Sequence, residues 1–386
     1  MKKKKVLVTF VEAGMGHIVT AQAVADALNG NEKIELICEN LFQKNKVLTK
    51  FENFLINETK KASSNPLHSR TQLLSMHIIG AQNSLKFVNG FVFKKQRDLY
   101  IEELRKINPD IIIDTYFFTA YASITYRNKY NPNCKVITYD PDNNVHGWWD
   151  RRVDMFVVNN PTAQNEAIKK RKFKKEKVKQ VSFVARDIIV NDNGTKEEYR
   201  EKNNIPKDQF VVKLADGMYG RAKMRSFIYE LVKSQKQMTI IAIAGKNEKL
   251  LNELNELKNK VPSNINLMPY GFVKNINELI RSSDLFITKG GPNAVLDSVF
   301  LQTPIIINYY ANNIEHATRR VFVDDGGCGL FIGNKKKARM FVEDCIDNPR
   351  ILDKYIENEK KFDKSLNGGK QVADLVIENF VNINED

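Results

Sequence analysis

The chain has 386 residues, enough for two domains with cores of their own. Apolar residues make up 42% of it and charged residues 27%, a composition that argues against a disordered protein. No apolar run approaches the ~20 residues of a membrane-spanning helix, and no secretory leader follows the first lysines, so we expect a cytoplasmic protein. The four cysteines show no C-x-x-C spacing, which fits reduced thiols and argues against a metal site.

The net charge of +14 lies mainly in the first half of the chain. Residues 1–190 carry 31 Lys and Arg against 19 Asp and Glu, whereas residues 191–386 carry 29 against 27. Charge that served solubility alone would be shared by both halves. The excess therefore predicts that the first half faces an anionic partner, either lipid head groups or nucleic acid.

The first segments predict the opening β-α-β unit of a doubly wound sheet. Apolar runs at residues 6–10 and 33–38 are predicted strands. Between them, at about residues 18–28, apolar side chains recur at helical spacing. The turn before this helix contains Gly14, Gly16 and His17. A lone Gly-x-Gly is weak evidence for a nucleotide site, and His17 alone fits an ordinary helix N-terminus as well as a functional site.

Residues 41–107 interrupt this alternation of strands and helices. The segment is predicted to be mostly helical, and its aromatic residues lie among basic ones. A helix with aromatic and lysine side chains can lie in the headgroup layer of a membrane with its apolar side down. Residues 85–95 are the best candidate for such a contact. The alternative is that the aromatic side chains of this stretch fill the core.

A single loop contains both tryptophans of the chain. This loop, which follows a strand predicted at residues 135–140, includes His146 and Trp149, and the carboxylates of Asp140 and Asp142 lie at its start. A loop with such residues is more often a functional site than a spacer. A structural loop anchored by its tryptophans is the alternative.

The most informative stretch joins a strand to a helix through two glycines. An apolar strand at residues 285–287 stops before Lys289-Gly290-Gly291, and Pro292 opens a helix. Proline suits the first helical turn because its missing N–H would be unpaired there. The glycines allow a ligand close to the backbone, and free N–H groups at the positive end of the helix dipole predict a phosphate site. Taken alone, the stretch also fits a plain strand-to-helix turn.

A short apolar strand at residues 302–308 follows, and a polar loop with a carboxylate opens the next helix at residues 312–317. This order of elements is typical of sugar-nucleotide sites, in which a carboxylate accepts hydrogen bonds from the ribose hydroxyls. Here the chain resembles the C-terminal domain of glycosyltransferase family 28. The family's usual runs are Gly-Gly/Pro-Gly-Thr and Gly-Gln-Glu, where this chain has Gly-Gly-Pro-Asn and Asn-Ile-Glu-His.

The resemblance implies that the second half holds a UDP-sugar donor. Glu315 corresponds to the carboxylate that binds the ribose, and Phe272 or Val273 to the residue that packs beside uracil. The turn with Gly217 resembles the family's first C-terminal loop, where backbone amides meet the phosphates. The donor site implied in this way consists of Gly217, Phe272, Val273, Lys289, Gly290, Gly291, Pro292, Asn293, Glu315 and His316.

The first half resembles the same family at two places. Gly14-x-Gly16-His17 looks like its first loop, and His146 with Trp149 matches the Thr-Asp…His-x-x-Trp loop of the diacylglycerol sugar transferases. This implies that Gly14, Gly16, His146 and Trp149 bind the acceptor. Because imidazole titrates near neutral pH, we expect His17 to be the catalytic base. Asp142 and Asp140 are the alternatives, and which of them matches the family's aspartate stays open.

The family implies the GT-B fold, an α/β architecture of two Rossmann-like domains facing across a cleft. We expect an acceptor- and membrane-binding domain at residues 1–188, a UDP-sugar-binding domain at residues 189–365, and a C-terminal helix at residues 366–386 that returns to the first domain. No Asp-x-Asp lies in a donor-site context, so we expect no metal and no other cofactor.

The implied reaction is an inverting transfer of a hexose from a UDP-sugar to diacylglycerol or glycosyl-diacylglycerol, which gives a β-glycolipid at the inner face of the cell membrane. The alternatives are a GlcNAc transferase acting on a polyprenyl diphosphate lipid, a UDP-sugar epimerase of the same fold, and a basic binding module without activity. We expect an anionic membrane surface as a partner and no nucleic acid. The donor sugar, the exact acceptor, the number of sugars added and the oligomeric state stay open.

Overall fold

The computed structural model describes residues 3–12, 15–64, 81–217 and 222–382. Contacts within the chain divide it into two compact units. The N-terminal unit consists of Met1–Val184 together with Leu366–Asp386, and the C-terminal unit consists of Ala185–Ser365. None of the helices in the described ranges combines the length and the apolarity needed to cross a membrane.

The N-terminal unit is built on a parallel sheet of six strands. Its elements up to the unit boundary are β1 (Lys4–Thr9), α1 (Met15–Leu28), β2 (Ile34–Glu39), α2 (Lys46–Ser64), α3 (Ala81–Phe87), α4 (Lys94–Ile107), β3 (Ile111–Asp114), α5 (Phe117–Lys129), β4 (Lys135–Tyr139), β5 (Met155–Val158), α6 (Pro161–Asn165) and β6 (Val178–Gln180). The strand order is β2-β1-β3-β4-β5-β6. A π-helical turn (Val88–Val92) joins α3 to α4.

The C-terminal unit repeats this plan with a second parallel sheet. Its elements are α7 (Asp187–Val190), α8 (Lys196–Lys202), β7 (Phe210–Ala215), α9 (Ala222–Leu231), β8 (Met238–Ile243), α10 (Glu248–Lys258), β9 (Ile265–Tyr270), α11 (Ile276–Arg281), β10 (Leu285–Thr288), α12 (Pro292–Phe300), β11 (Ile305–Ile307), α13 (Asn313–Arg319), β12 (Gly329–Phe331), α14 (Lys335–Asp347) and α15 (Asp353–Glu359). The strand order is β12-β11-β10-β7-β8-β9.

Both sheets are doubly wound, so each has a point where the direction of winding reverses. In the N-terminal unit the chain proceeds from β1 outward to β2, then returns to β3 on the other side of β1. In the C-terminal unit the reversal lies between β7 and β10. Open α/β sheets bind ligands outside the carboxyl ends of the strands at such switch points. The predicted α/β fold class is confirmed. The topology indicates ligand sites at the carboxyl ends of β1 and β3 and of β7 and β10.

The central strands are continuous apolar runs because helices cover both faces of each sheet. Residues 6–8, 111–113 and 211–214 are at most 1% exposed. All of them are apolar apart from Lys213, which is buried like its neighbours. The last helix, α16 (Gly368–Val376), belongs to the N-terminal unit and packs against α1. A Cβ on Gly369 would lie 2.7 Å from Ala23, so only glycine allows this close approach.

The start of the first helix differs from the prediction, and two edge strands of the structure end in ways that the sequence analysis did not address. Helix α1 begins at Met15 rather than near Ile18, so His17 lies in its first turn. Strand β9 continues through Pro269 to Tyr270, which is possible because β9 is an edge strand and an edge residue can do without its N–H. Strand β6, at the edge of the N-terminal sheet, is short and ends at Gln180.

The aromatic residues of the segment 41–107 divide between the core and the surface. Phe42, Phe51 and Tyr100 are buried in the main apolar cluster of the N-terminal unit. Phe87 and Phe91, in contrast, are 61% and 76% exposed, and their rings stack with centroids 5.9 Å apart. The interpretation as core therefore holds for Phe42, Phe51 and Tyr100, and the membrane contact of residues 85–95 stays a prediction.

Candidate functional site

His17 lies at the switch point of the N-terminal sheet. It occupies the first turn of α1, and its Nδ1 is 2.6 Å from the carbonyl oxygen of Thr115, the residue directly after β3. A carbonyl oxygen only accepts hydrogen bonds, so Nδ1 carries the proton and Nε2 keeps its lone pair. Burial lowers the pKa of His17 to about 4, with the Thr115 carbonyl acting in the opposite direction. The imidazole is therefore neutral at physiological pH, with Nε2 able to accept a proton, but it does not titrate near neutral pH as the sequence analysis expected.

Asp140 and Asp142 follow the neighbouring strand β4. Asp140 is fully buried and its Oδ1 accepts a hydrogen bond of 3.0 Å from the backbone N–H of Asp142. Burial, followed by the nearby charge of Asp142, raises the pKa of Asp140 well above its ordinary value. Burial raises the pKa of Asp142 to about 7. Asp142 therefore titrates near neutral pH, whereas Asp140 favours its protonated form.

An aromatic side chain that the sequence analysis did not single out connects these groups. The ring of Tyr116 meets that of His17 edge-on with centroids 5.1 Å apart. Burial and the nearby carboxylate of Asp142 raise the pKa of Tyr116. Gly16 lies beside Pro141, which a Cβ on this glycine would approach to 3.9 Å. The structure thus brings His17, Asp142 and Gly16 together around the ends of β1, β3 and β4.

The tryptophan loop joins the same cluster through Phe117. The Phe117 ring is 4.4 Å from that of Tyr116 and 5.4 Å from that of His146, which stacks on Trp149 at 5.3 Å. His146 is half-buried, whereas Trp149 is only 1% exposed. Trp149 therefore supports the ring of His146 from inside the unit. Gly14, the remaining residue of the predicted acceptor site, lies outside the described residues.

The glycine turn of the C-terminal unit lies at its switch point, after β10. Helix α12 begins at Pro292, as the sequence predicts. A Cβ on Gly290 would lie 2.5 Å from the backbone oxygen of Glu315, so this position requires glycine. The turn and the start of α13 are therefore in direct contact.

The free N–H groups predicted for this turn need a correction. Gly290 N–H donates to the oxygen of Tyr309 at 3.1 Å, and Gly291 N–H donates to that of Lys289 at 2.7 Å. Two predicted phosphate donors are therefore used within the protein. The first bond that follows the helical pattern runs from Val295 N–H to the Gly291 oxygen. Helix geometry leaves the N–H groups of Asn293 and Ala294 as the donors that α12 directs outward.

Lys289 and Glu315 form an ion pair between the glycine turn and α13. The ammonium of Lys289 contacts Oε1 of Glu315, whose Oε2 accepts a hydrogen bond of 2.6 Å from Ala311 N–H. Asn312 caps α13 by accepting the N–H of Glu315 at 2.9 Å. The Lys289 side chain passes both glycine loops, because a Cβ on Gly217 or on Gly291 would lie 3.5 Å from its Cε.

The other predicted donor residues lie at two further places in the C-terminal unit. Phe272, 56% exposed, and the half-buried Val273 follow β9 at the edge of the sheet. His316 is adjacent to Glu315 in sequence, but its ring packs edge-on against that of Tyr310, with centroids 4.8 Å apart. The structure thus joins Gly217, residues 289–293 and Glu315 directly.

The sequence analysis missed a buried charge cluster behind α12. Lys213 of β7 is 1% exposed and its Nζ lies 3.4 Å from the centre of the Phe286 ring. Burial lowers the pKa of Lys213 to about 7, and burial raises that of Asp297, which pairs with Arg186. A lysine within an otherwise apolar strand was the signal. In the described ranges, no three His, Cys, Asp or Glu side chains are placed to hold a metal ion.

Two family models match successive parts of the chain. Residues 17–182 match the model of monogalactosyldiacylglycerol (MGDG) synthase, and residues 221–367 match the glycosyltransferase family 28 C-terminal domain. A probable monogalactosyldiacylglycerol synthase of Nicotiana tabacum is 24% identical over 360 residues, which cover 88% of this chain and 64% of that protein. A processive diacylglycerol beta-glucosyltransferase of Bacillus pumilus is 22% identical over 360 residues, 92% of this chain and 90% of that protein.

Solved glycosyltransferase structures share the fold. The crystal structure of Acinetobacter baumannii MurG covers 97% of this chain with a TM-score of 0.62 at 11% identity, and the match spans 99% of that chain. Anabaena Alr3699/HepE in complex with UDP covers 97% with a TM-score of 0.56 at 13% identity, over 100% of that chain. The family resemblance and the fold predicted from the sequence are both confirmed. The chain is similar to glycosyltransferase family 28, whose C-terminal domain model matches residues 221–367, and it has the GT-B fold.

Proposed function

We propose that the protein transfers a hexose from a UDP-sugar to a diacylglycerol-type lipid at an anionic membrane surface, with inversion at the anomeric carbon. The observation that carries the proposal is the ion pair of Lys289 and Glu315 across the glycine turn at the switch point between β7 and β10. It places a cation and a carboxylate beside a helix N-terminus, as a diphosphate next to a ribose requires. The names of the relatives supply the lipid acceptor.

On the donor side, the proposal assigns charge neutralisation to Lys289 and the start of α12. The diphosphate gains negative charge as the sugar leaves, and preorganised donors at that point stabilise the transition state. Glu315 accepts hydrogen bonds from the ribose hydroxyls. Each of its oxygens already accepts one bond from the protein, and a carboxylate oxygen can accept two. No metal ion has a part in this scheme.

On the acceptor side, His17 is the proposed base and Asp142 its rival. The acceptor oxygen attacks the anomeric carbon as its proton passes to Nε2 of His17, and the bond from that carbon to the UDP oxygen breaks. The electron pair leaves with UDP, and the configuration at the carbon inverts. The Thr115 carbonyl holds the imidazole in the required tautomer. Asp140 is a weaker candidate because it is fully buried.

A transfer assay tests the proposed function. The protein is incubated with radiolabelled UDP-glucose, UDP-galactose or UDP-GlcNAc and with vesicles that contain diacylglycerol. We expect label from one of the hexose donors to enter the organic phase as a β-glycoside. Label that stays in the water phase as an epimerised UDP-sugar would indicate an epimerase. Transfer to a polyprenyl diphosphate lipid alone would overturn the diacylglycerol assignment.

The exposed aromatic surface around the π-helical turn is the proposed membrane contact. We define this surface by Phe87, Phe91 and Val92 together with the exposed Lys86, Lys94 and Lys95. Aromatic rings in the headgroup layer with lysines beside them bind anionic lipid. Helix α4 runs from this turn back to the start of β3, so the surface lies towards the carboxyl edge of the sheet, as His17 does.

Replacing both Phe87 and Phe91 by serine is expected to lower partitioning onto vesicles that contain phosphatidylglycerol by at least about tenfold, because burying one such side chain is worth ~1.5–3 kcal/mol. Co-sedimentation at low and high salt measures the change. Tyr130→Ser is the matched control, since Tyr130 is 50% exposed and ends α5 at the opposite edge of the sheet. Equal losses in the two variants would remove the membrane assignment of this surface.

A further inference from the structure

The switch point of the C-terminal sheet contains a buried carboxylate that the donor site described above does not use. Asp216 directly follows β7 and is 2% exposed. Its Oδ1 accepts a hydrogen bond of 3.2 Å from Lys289 N–H, and its Oδ2 accepts one of 3.1 Å from Met224 N–H. Met224 is the third residue of α9. One side chain thus connects the loop after β7, the loop after β10 and the start of a helix.

We propose that Asp216 is a positioning residue of the donor site, a role that rests on the proposed function. Lys289 is held at both ends by carboxylates. Asp216 fixes its backbone, Glu315 fixes its ammonium, and the side chain between them passes Gly217 and Gly291. The place of the Lys289 cation therefore depends on Asp216 as much as on Glu315.

The negative charge of Asp216 has two opposite effects on the binding of the donor diphosphate. A carboxylate beneath an anion site repels the diphosphate, and its removal would tighten donor binding if repulsion dominated. Two backbone N–H groups oppose this effect, one of them in the first turn of α9 at the positive end of its dipole. A buried N–H that loses its acceptor is costly, so we expect positioning to outweigh repulsion.

The same sheet contains a matched control at its opposite edge. Asp284 precedes β10, and its Oδ2 accepts a hydrogen bond of 2.7 Å from Val211 N–H of β7. It also pairs with Arg200 at 2.7 Å and Lys196 at 2.9 Å. Asp284 therefore links the neighbourhoods of the same two strands as Asp216 does, but at the amino edge, away from the glycine turn.

The experiment compares Asp216→Asn with Asp284→Asn. The amide of Asp216→Asn keeps one acceptor oxygen and turns an NH₂ group toward the other backbone N–H. We expect it to raise the Kd for UDP and the KM for the UDP-sugar by about tenfold, as the loss of a buried acceptor predicts. The KM for the lipid acceptor should stay unchanged. Asp284→Asn should lower Tm and leave both donor constants unchanged.

The outcomes separate the inference from the proposed function. If the unaltered protein fails to bind UDP, the proposed function fails. If it binds UDP and Asp216→Asn binds equally well or more tightly, or if both variants lose donor affinity alike, the positioning role is wrong. Should Asp216→Asn not fold, Thr288→Val takes its place, because Thr288 Oγ1 donates to the Ala215 oxygen at 2.7 Å between the same strands. In that variant, a rise in the KM for the UDP-sugar alone supports the inference, and an unchanged KM for the UDP-sugar refutes it.

Discussion

Replacing His17 by alanine is expected to lower kcat by about 10²–10⁴-fold, the usual contribution of a general base, and to leave the Kd for UDP unchanged. The reason is geometric. Nδ1 is held by the Thr115 carbonyl, so Nε2 is the atom free to take the acceptor proton. Steady-state kinetics together with calorimetric titration of UDP separates the two quantities.

The variant Asp142→Asn tests the alternative base. Asp142→Asn removes a carboxylate that titrates near pH 7 and leaves the contact of His17 with Thr115 in place. With His17 as the base, this variant retains most of its turnover. The assignment would be reversed if His17→Ala stayed active while Asp142→Asn lost its activity.

The pH dependence of kcat/KM distinguishes the two groups without mutation. A base acts only when it is unprotonated, so activity falls as the pH drops through the pKa of the group. For His17 that fall is expected near pH 4, and for Asp142 near pH 7. We expect a flat profile between pH 8 and about 5. The contribution of His17 to stability falls in the same direction, because unfolded His17 takes up its proton near pH 6.5, which favours unfolding between 6.5 and about 4. The raised pKa of Asp142 contributes in the opposite direction, because the folded protein takes up that proton first as the pH falls.

The second large effect is expected at the ion pair of the donor site. Glu315→Ala should weaken UDP binding by about tenfold to a hundredfold, since hydrogen bonds to a charged group are worth ~1.5–3 kcal/mol. Lys289→Ala should lower kcat by about 10²–10³-fold, as the loss of one preorganised donor at a departing charge does. Titration with UDP and single-turnover kinetics measure these effects.

Removing either partner of the Lys289–Glu315 pair could also disturb the glycine turn, so controls are required. Glu343→Ala removes another ion-paired glutamate of the C-terminal unit, bonded to Arg339 at 2.7 Å, and should leave UDP binding unchanged. The single variants Lys289→Met and Glu315→Gln and their double variant form a double-mutant cycle. The double variant leaves no buried unpaired charge, so the cycle separates loop disruption from donor contact. An unchanged Kd for UDP in Glu315→Ala would mean that the ribose binds elsewhere.

Local chemistry explains why much of the fold was predictable. Pro292 marks the first turn of α12, and Asn312 marks the start of α13, because such residues act within one turn of themselves. Runs such as residues 111–113 indicate strands buried on both faces. Strand order within each sheet was less accessible, since it depends on pairing between distant segments.

The details of the site depend on such distant contacts. The bond of His17 to Thr115 joins residues 98 positions apart and exists because β1 and β3 are neighbours. Gly290 N–H was predicted to be free, but the carbonyl of Tyr309 from the adjacent strand end uses it. Asp216 gave no signal, because an aspartate before a glycine is common in turns. Spacing also left the side of Phe87 and Phe91 undecided.

The packing of α16 on α1 has a consequence for the order in which the protein is made. Val372 and Val376 are buried in the same apolar cluster as Val24 and Leu28 of the first helix. The ribosome synthesises those two valines after residues 185–365, so the N-terminal unit cannot complete its core before the C-terminal unit has been made. Residues 185–365 emerge earlier and carry a core of their own. During translation, the half that the chain begins with is therefore the half that is completed second.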